Sequence, residues 1–221
     1  MTDLLLETAT DTCSVALAQQ GELVAEATAE GTFRHASHLT LLIGEVMAGW
    51  EYTDLDRIVL SDGPGSYTSL RVGAATAKGL CVALPGVELY SVATLAALAE
   101  AVPAGLVLAT INSRRGEVYG QFFRDHRPLT APLNLRLTTP DWLPASFAGE
   151  QIIVTGPGQE RVLEHAGNSP VLTPSLPLRP AARLLLPPLT AGRAKKEDAA
   201  AYEPFYLNPP FVTKSTKKPL L

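Results

Sequence analysis

Twice in this chain a short apolar run ends in Gly-Pro-Gly and gives way to a helical pattern, at residues 63–65 and again at 156–158. Glycine is required where a backbone turns too sharply, or lies too close to its neighbour, to carry a side chain. A strand that ends in such a turn and restarts as a helix is the joint of an α/β unit. Each joint here follows three strand patterns and a helical stretch. A recurring joint with the same antecedents predicts an α/β fold of two related βββαβα halves. The first half is expected over residues 1–103. The second is expected over 104–221, with its final segment packing back on the first.

The first joint says more than the second. Arg57-Ile-Val-Leu-Ser61 reads as a buried strand, and Ser66 stands where a helix N-cap belongs. After it, Leu70, Ala74, Ala77 and Cys81 share one helix face, while Val72, Ala75, Gly79 and Val82 lie largely on the other. A helix apolar nearly all round needs cover on two sides. Gly73, Ala74, Ala75, Ala77 and Gly79 also keep it thin. Glycine costs about 1 kcal/mol against alanine inside a helix, so such positions are kept where another backbone comes close. The loop itself has two readings. Glycines before a helix N-terminus can cradle a phosphate through free N–H groups and the helix dipole. They can equally make a tight turn with no ligand. Gly-Pro-Gly-Ser lacks the lysine of a P-loop and is not GxGxxG.

Strand patterns precede the first joint at Leu4–Thr10, Cys13–Ala18 and Glu22–Thr28, with a hairpin turn at Asp11-Thr12. A helix is expected from Ala36 to Trp50, with Leu39, Leu42, Ile43, Val46 and Trp50 as its apolar stripe and Leu41 and Ala48 off it. Glu88–Val92 is a short strand, and Ala93–Val102 a helix closed by Pro103. The pattern then restarts. Leu106–Ile111, Glu117–Phe123 and Leu133–Leu137 read as strands, and Pro140–Phe147 as a short helix with Asp141 in its first turn. Gln151–Thr155 leads into the second joint, and Glu160–Ala166 follows as a helix. Leu178–Arg193 is helical in pattern but must break at Pro187-Pro188. Ala201–Pro210 is extended, and Thr213–Leu221 reads as a frayed tail with three lysines.

Composition narrows the class. Apolar residues make up 46% of the 221, enough for a real core, and the net charge of −4 argues against autonomous nucleic-acid binding. Two cysteines make no disulfide framework. With no basic leader pattern and no apolar run of membrane-spanning length, a cytoplasmic protein without membrane contact is expected. The first hairpin gathers Glu7, Thr8, Thr10, Asp11, Thr12 and Ser14. In a sugar-kinase-like fold that hairpin touches phosphate and a metal-bound water; the plainer reading is a polar turn. His35 and His38 are spaced i, i+3, whereas zinc on a helix is gripped at i, i+4, and no third ligand is near. No GxSxG elbow is present, and Cys81 sits on an apolar face where cysteine is inert. No metal, no cofactor and no chemistry of its own are expected.

These residues resemble a known family. Leu4-Leu-Leu-Glu-Thr-Ala-Thr-Asp-Thr-Cys-Ser-Val-Ala-Leu17 and Gly63-Pro-Gly-Ser-Tyr-Thr-Ser-Leu-Arg-Val-Gly73, followed by Ala77-Lys-Gly-Leu80, look like the bacterial TsaB (YeaZ) family of tRNA threonylcarbamoyladenosine biosynthesis. Arg34-His-Ala-Ser-His-Leu39, Asn112-Ser-Arg-Arg-Gly-Glu-Val-Tyr119 and Tyr202-Glu-Pro-Phe-Tyr-Leu207 resemble further family segments. The resemblance implies an actin/Hsp70/sugar-kinase-like fold and no catalysis. It implies a scaffold for the TsaD-type paralogue, which transfers the carbamoyl group to adenosine 37 and holds its metal with an His-x-x-x-His motif that this chain lacks. It also implies a TsaE-type ATPase joining the pair, a homodimer in isolation, and tRNA reached through the complex. The chain departs from the family at Glu7, where the family usually has Asp.

The expected partner contact is therefore helical, through Leu39, Leu42, Ile43 and Val46 of the first helix and Leu70, Gly73, Ala74 and Ala77 of the second. Gly63, Gly65, Ser66 and Thr68, with Glu7, Thr8 and Thr10, form a structural or vestigial phosphate loop. The alternatives are an ATP-dependent sugar-kinase-like enzyme on Gly63–Ser66 and Thr8–Thr10, and a zinc peptidase on His35 and His38.

Overall fold

The computed structural model of the protein describes residues 1–30, 35–114, 116–139, 142–147, 149–167 and 169–209. The first half runs β1 (Thr2–Glu7), β2 (Thr12–Gln19), β3 (Glu22–Glu30), α1 (His35–Val46), β4 (Arg57–Gly63), α2 (Tyr67–Ala83), β5 (Glu88–Ala93) and α3 (Thr94–Glu100). The second runs β6 (Leu106–Asn112), β7 (Glu117–Arg124), β8 (Arg127–Pro128), β9 (Leu133–Arg136), β10 (Ile152–Thr155), α4 (Gln159–Ala166) and β11 (Leu172–Pro174). After it come a 3-10 turn at Ala182–Leu185, α5 (Leu186–Thr190) and β12 (Lys195–Glu197).

The two sheets repeat one topology. The first has the order β12-β5-β4-β1-β2-β3, the second β11-β10-β6-β7-β8, with β9 also paired to β7. In both, the first strand is central. It pairs antiparallel with the next strand in sequence (β1 with β2, β6 with β7) and parallel with the strand that leads into the joint (β1 with β4, β6 with β10). Centrality explains the uninterrupted apolar run at the start of the chain, because β1 is covered on both faces and every residue in it is buried. Leu4 and Leu6 face α1 and α2, and Leu5 faces the opposite layer. Asp3 is fully buried in this strand and is held by the Arg57 guanidinium through two bonds of 2.6 and 2.8 Å.

Between the sheets lies a shared layer. Ala97 of α3 packs with Ala182, Leu185, Leu186 and Leu189 beneath the first sheet. Leu95, Leu98 and Ala99 of α3 pack with Val107, Ala109, Ile111 and Phe123 of the second. The outer face of the second sheet buries Leu108, Val118, Phe122 and Val154 with Phe147 and Val162. The chain beyond residue 178 thus returns to the first sheet, ending with β12 antiparallel on β5.

Several expected elements differ. The first strand stops at Glu7, and residues 8–11 form the turn, because Thr8 donates its N–H sideways to Ser61 Oγ at 3.1 Å rather than to a strand neighbour. In the stretch expected as a helix at 140–147, only a 3-10 turn at Ala145–Phe147 is found among the described residues; Pro140 and Asp141 lie outside them. The pattern at 178–193 yields a 3-10 turn and a five-residue α5 that accommodates Pro187 and Pro188 in its first turn, where a missing N–H loses no bond. Arg34, Arg115 and the lysine-bearing segment from Thr213 also lie outside the described residues.

Candidate functional site

The first joint is closed by its own backbone. Ser66 donates its N–H to the Ala9 carbonyl at 2.7 Å, and its hydroxyl accepts from the Ser69 N–H at 3.4 Å as the α2 cap. Gly65 lies so close to the same carbonyl that an added Cβ would stand 2.2 Å from it. Gly63 adopts φ 110°, where an L side chain is strained, and its Cβ would stand 2.6 Å from the Phe205 carbonyl. Gly73, nearly two turns into α2, rests on Thr8, with 2.3 Å between an added Cβ and Oγ1. A phosphate cradle needs N–H groups aimed into free space. Here a main-chain oxygen occupies that position. The second joint is built alike: Gly158 donates to the Thr110 carbonyl at 3.4 Å, and a Cβ on Gly156 would stand 2.2 Å from that oxygen.

Glu7 shapes this closure. Its side chain is buried, and Oε1 accepts the Ala9 N–H at 2.6 Å, with Ser61 as a further hydrogen-bond partner. Burial is the leading influence and pushes its carboxyl up to about 7; the two hydrogen bonds act against it. A carboxylate turned inward onto its own turn is poorly placed to hold a metal-bound water. Thr8 is buried as well, Thr10 Oγ1 accepts from the Thr12 N–H at 3.4 Å, and Ser66 and Thr68 are exposed. Thr10, Gly65, Ser66 and Thr68 do line an open cleft of about 1050 Å³ between the halves, opposite Arg114, Tyr119 and Glu160. Among the described residues, no group of three His, Cys, Asp or Glu side chains could hold a metal ion. His38 Nδ1 lies 2.8 Å from Ser37 Oγ, and the His35 side chain is outside the described residues.

The eight residues expected at a partner contact are all buried inside the chain. Leu39, Leu42, Ile43, Val46, Ala74 and Ala77 belong to the core beneath α1 and α2; Leu70 is 1% exposed, and Gly73 sits on Thr8. The correction has a simple cause. α2 has two small apolar faces, and the first sheet takes the one that bears Leu70. What remains outside is the opposite row: Ala75, Gly79 and Val82 on α2, beside Leu41 and Gly44 on α1 and Ala48 in the turn after it. Leu41 is 67% exposed and Val82 81% exposed. A Cβ added at Gly44 or Gly79 meets nothing within 4 Å. Two adjacent helices with a thin apolar outer surface form a shallow platform suited to another helix pair.

A strap that sequence reading left as a plain extended segment holds α2 from behind. Lys78 Nζ donates to the carbonyls of Ala200 and Tyr202, both at 3.1 Å. Tyr202 is buried, and its hydroxyl donates to Asp62 Oδ1 at 2.8 Å. Phe205 donates its N–H to the Asp62 carbonyl at 2.9 Å. Burial raises the Asp62 carboxyl above its usual range, against the hydrogen bonds from Tyr202 and Phe205. Further on, Tyr206 lies 4.6 Å from the Tyr67 ring, and Asn208 donates to the Tyr119 hydroxyl of the second half at 3.3 Å. The Tyr202-Glu-Pro-Phe-Tyr-Leu207 block was visible in the sequence; its partners Asp62, Lys78 and Tyr67 were not.

The sequence model of the family described as "TsaD: tRNA N6-adenosine threonylcarbamoyltransferase" matches residues 22–128. The chain is 36% identical over 125 residues to the tRNA threonylcarbamoyladenosine biosynthesis protein TsaB of Haemophilus influenzae, covering 54% of this chain and 52% of that one. It is 34% identical over 136 residues to the protein of the same name from Escherichia coli, covering 55% of each. The chain thus spans about half the length of the curated relatives it matches. The solved structure of YeaZ from Pseudomonas aeruginosa aligns with a TM-score of 0.79 at 26% identity, over 93% of this chain and 99% of that one. Two sheets of one topology around a cleft, each with its Gly-Pro-Gly joint, define an α/β protein of two related halves. Over about half its length the chain is similar to curated TsaB proteins, and over nearly its whole length to a solved YeaZ structure.

Proposed function

We propose that this chain is a non-catalytic partner subunit in the formation of threonylcarbamoyladenosine at position 37 of tRNA. It supports a TsaD-type carbamoyltransferase in the cytoplasm. The observation that carries this reading is the contrast between its two surfaces. The joint that would cradle phosphate is filled by the Ala9 carbonyl, while the apolar α1–α2 platform is left exposed by the described residues. Chemistry is disfavoured where a kinase would do it, and association is favoured where a globular chain would otherwise show charge. The names of the TsaB relatives point to the same pathway.

In this reading the α1–α2 platform receives the corresponding helix pair of the paralogue, or of a second copy when the paralogue is absent. A specific contact of this kind buries about 1,000 Å² or more. A TsaE-type ATPase joins the pair, and tRNA is engaged by the assembly. Co-expression of the tagged chain with the paralogue, followed by size exclusion and a tRNA modification assay with and without the ATPase, tests it. The expected result is a stable pair, no ATP turnover by this chain alone, and modification only when all components are present. ATP turnover by the pure chain would favour the kinase-like reading instead. Failure to pair with the paralogue would end the scaffold reading.

A further inference from the structure

The strap from Asp198 to Pro209 is held unevenly along its length. Its root is fixed. Asp198 Oδ1 accepts the Ala200 N–H at 2.9 Å, and Lys78 Nζ of α2 donates to the carbonyls of Ala200 and Tyr202. Tyr202 is buried, with its hydroxyl on Asp62 Oδ1. Three residues on, the Phe205 N–H meets the Asp62 carbonyl, and the Phe205 carbonyl lies against Gly63. The strap therefore passes directly over the first joint.

Its tip is held lightly. The Phe205 side chain is 40% exposed, and residues 206–208 are half-buried. Tyr206 meets Tyr67 of α2 with the rings tilted at 42°, and the Arg71 guanidinium backs Tyr67 at 4.7 Å. Asn208 Nδ2 then donates to the Tyr119 hydroxyl at 3.3 Å. Tyr119 belongs to β7 of the second half. It lines the cleft with Arg114 and Glu160, opposite Ser66 and Thr68, the neighbours of Tyr67. The tip thus touches both halves at the rim of the cleft.

That placement matters because of how the chain joins its halves. It passes from the first to the second between α3 and β6, at 101–105, and returns between β11 and the 3-10 turn, at 175–181. Halves joined by two crossings swing about the line through them, and the swing widens or narrows the cleft. A tie across the rim opposes it. One neutral hydrogen bond and one tilted aromatic pair make a weak tie, broken and remade by thermal motion. The fixed root keeps the tip close enough to re-form it.

We propose that residues 205–208 are a reversible clasp that sets the opening of the cleft, anchored on the first half at Asp62 and released at Tyr119. The clasp is a property of this chain alone and operates with or without a partner.

The test measures the distance between the halves by double electron–electron resonance on the full chain. Nitroxides are attached at Thr40→Cys on α1 and Glu164→Cys on α4, both exposed, with Cys81→Ser removing the half-buried thiol; Cys13 is buried. Labelled protein is diluted into unlabelled chain so that pairs between molecules do not contribute. Three changes are compared with the parent. Tyr119→Phe keeps the ring and removes the hydroxyl. Tyr206→Ala/Asn208→Ala removes the tip contacts. Arg124→Gln breaks an exposed ion pair to Glu150 inside the second half. The parent should give one dominant distance. Tyr119→Phe should raise the population of a second distance about fivefold, the weight of one net hydrogen bond, and the double variant should raise it further. Arg124→Gln should leave the distribution unchanged. Identical distributions for the parent and Tyr119→Phe would overturn the clasp, and Tyr119→Phe decides the matter if the double variant fails to fold. A parent already as broad as the double variant, or equal broadening from Arg124→Gln, would overturn it too.

Discussion

The Ser66 amide and the Ala9 carbonyl meet at 2.7 Å. The bond joins the turn after β1 to the first residue before α2, at the place where a phosphate-cradling loop would leave N–H groups free. It ties the helix that carries the platform to the central strand of the sheet, and it leaves the joint with a structural task.

Glycine substitutions along this region should separate into two kinds. Gly65→Ala drives a Cβ into backbone oxygen at 2.2 Å, and Gly73→Ala meets Thr8 Oγ1 at 2.3 Å. Both are expected to destabilise, Gly65→Ala by about 3 kcal/mol or more because backbone cannot move aside as a side chain can. Gly79→Ala meets nothing and should stabilise by up to about 1 kcal/mol. Urea denaturation of the three variants gives the order; a Gly65→Ala protein as stable as the parent would refute the packing described for the joint.

Glu7 predicts a pH dependence of stability. Its folded carboxyl titrates near 7 against a reference of 4.5. Between those values the folded chain keeps a proton that the unfolded chain has lost, so stability falls as pH rises through the window, by about 3 kcal/mol over the whole span. Glu7→Gln, which keeps an acceptor for the Ala9 N–H, should flatten that fall and melt above the parent at pH 8. Equal pH profiles for parent and variant would show that Glu7 is not the group responsible.

The two faces of α2 predict opposite phenotypes. Ala75→Glu and Gly79→Leu lie on the outer row and should leave the circular dichroism melt near the parent while weakening pairing more than tenfold. Ala74→Leu and Ala77→Leu are inward, at 5% and 0% exposure, and should lower stability by about 1–3 kcal/mol through overpacking. If the folded outer variants pair as tightly as the parent, the platform is not the contact surface.

The strap predicts a coupled loss. Tyr202→Phe removes the hydroxyl that serves the Asp62 carboxyl and should destabilise by about 1–3 kcal/mol. Asp62→Asn in the same chain should recover part of that loss, because a neutral amide tolerates the missing partner better. Simple additivity of the two changes would argue that the bond contributes little.

How far the sequence alone was legible follows from what kind of force places each element. Leu4-Leu-Leu6 announced a central strand because burial on both faces leaves no polar alternation. The joints were legible because glycine is forced there by close approach. Leu41 and Ala48 were correctly left off the α1 stripe. β12 was not legible: Lys195-Lys-Glu197 has no apolar residue, and it is held by main-chain pairing to β5, by Ser91 Oγ on Glu197 at 2.7 Å and by Lys196 on Glu88. The same limit hid which face of α2 turns inward. Periodicity divided α2 into two small apolar faces, but which one meets the sheet depends on how Gly73 seats on Thr8, a tertiary event with no local signature.

That late strand sets an order of events for a chain being made. β5, the free edge of the first sheet, and the underside formed by Leu5, Val59 and Val92 exist as soon as residue 93 has been added. Their covers, Leu185, Leu186, Leu189 and β12, arrive about a hundred residues later. Until then the nascent first half shows the solvent an unpaired strand and an oily face. Synthesis pauses within the second half should therefore be the moments when this protein is most exposed to aggregation and most in need of a chaperone.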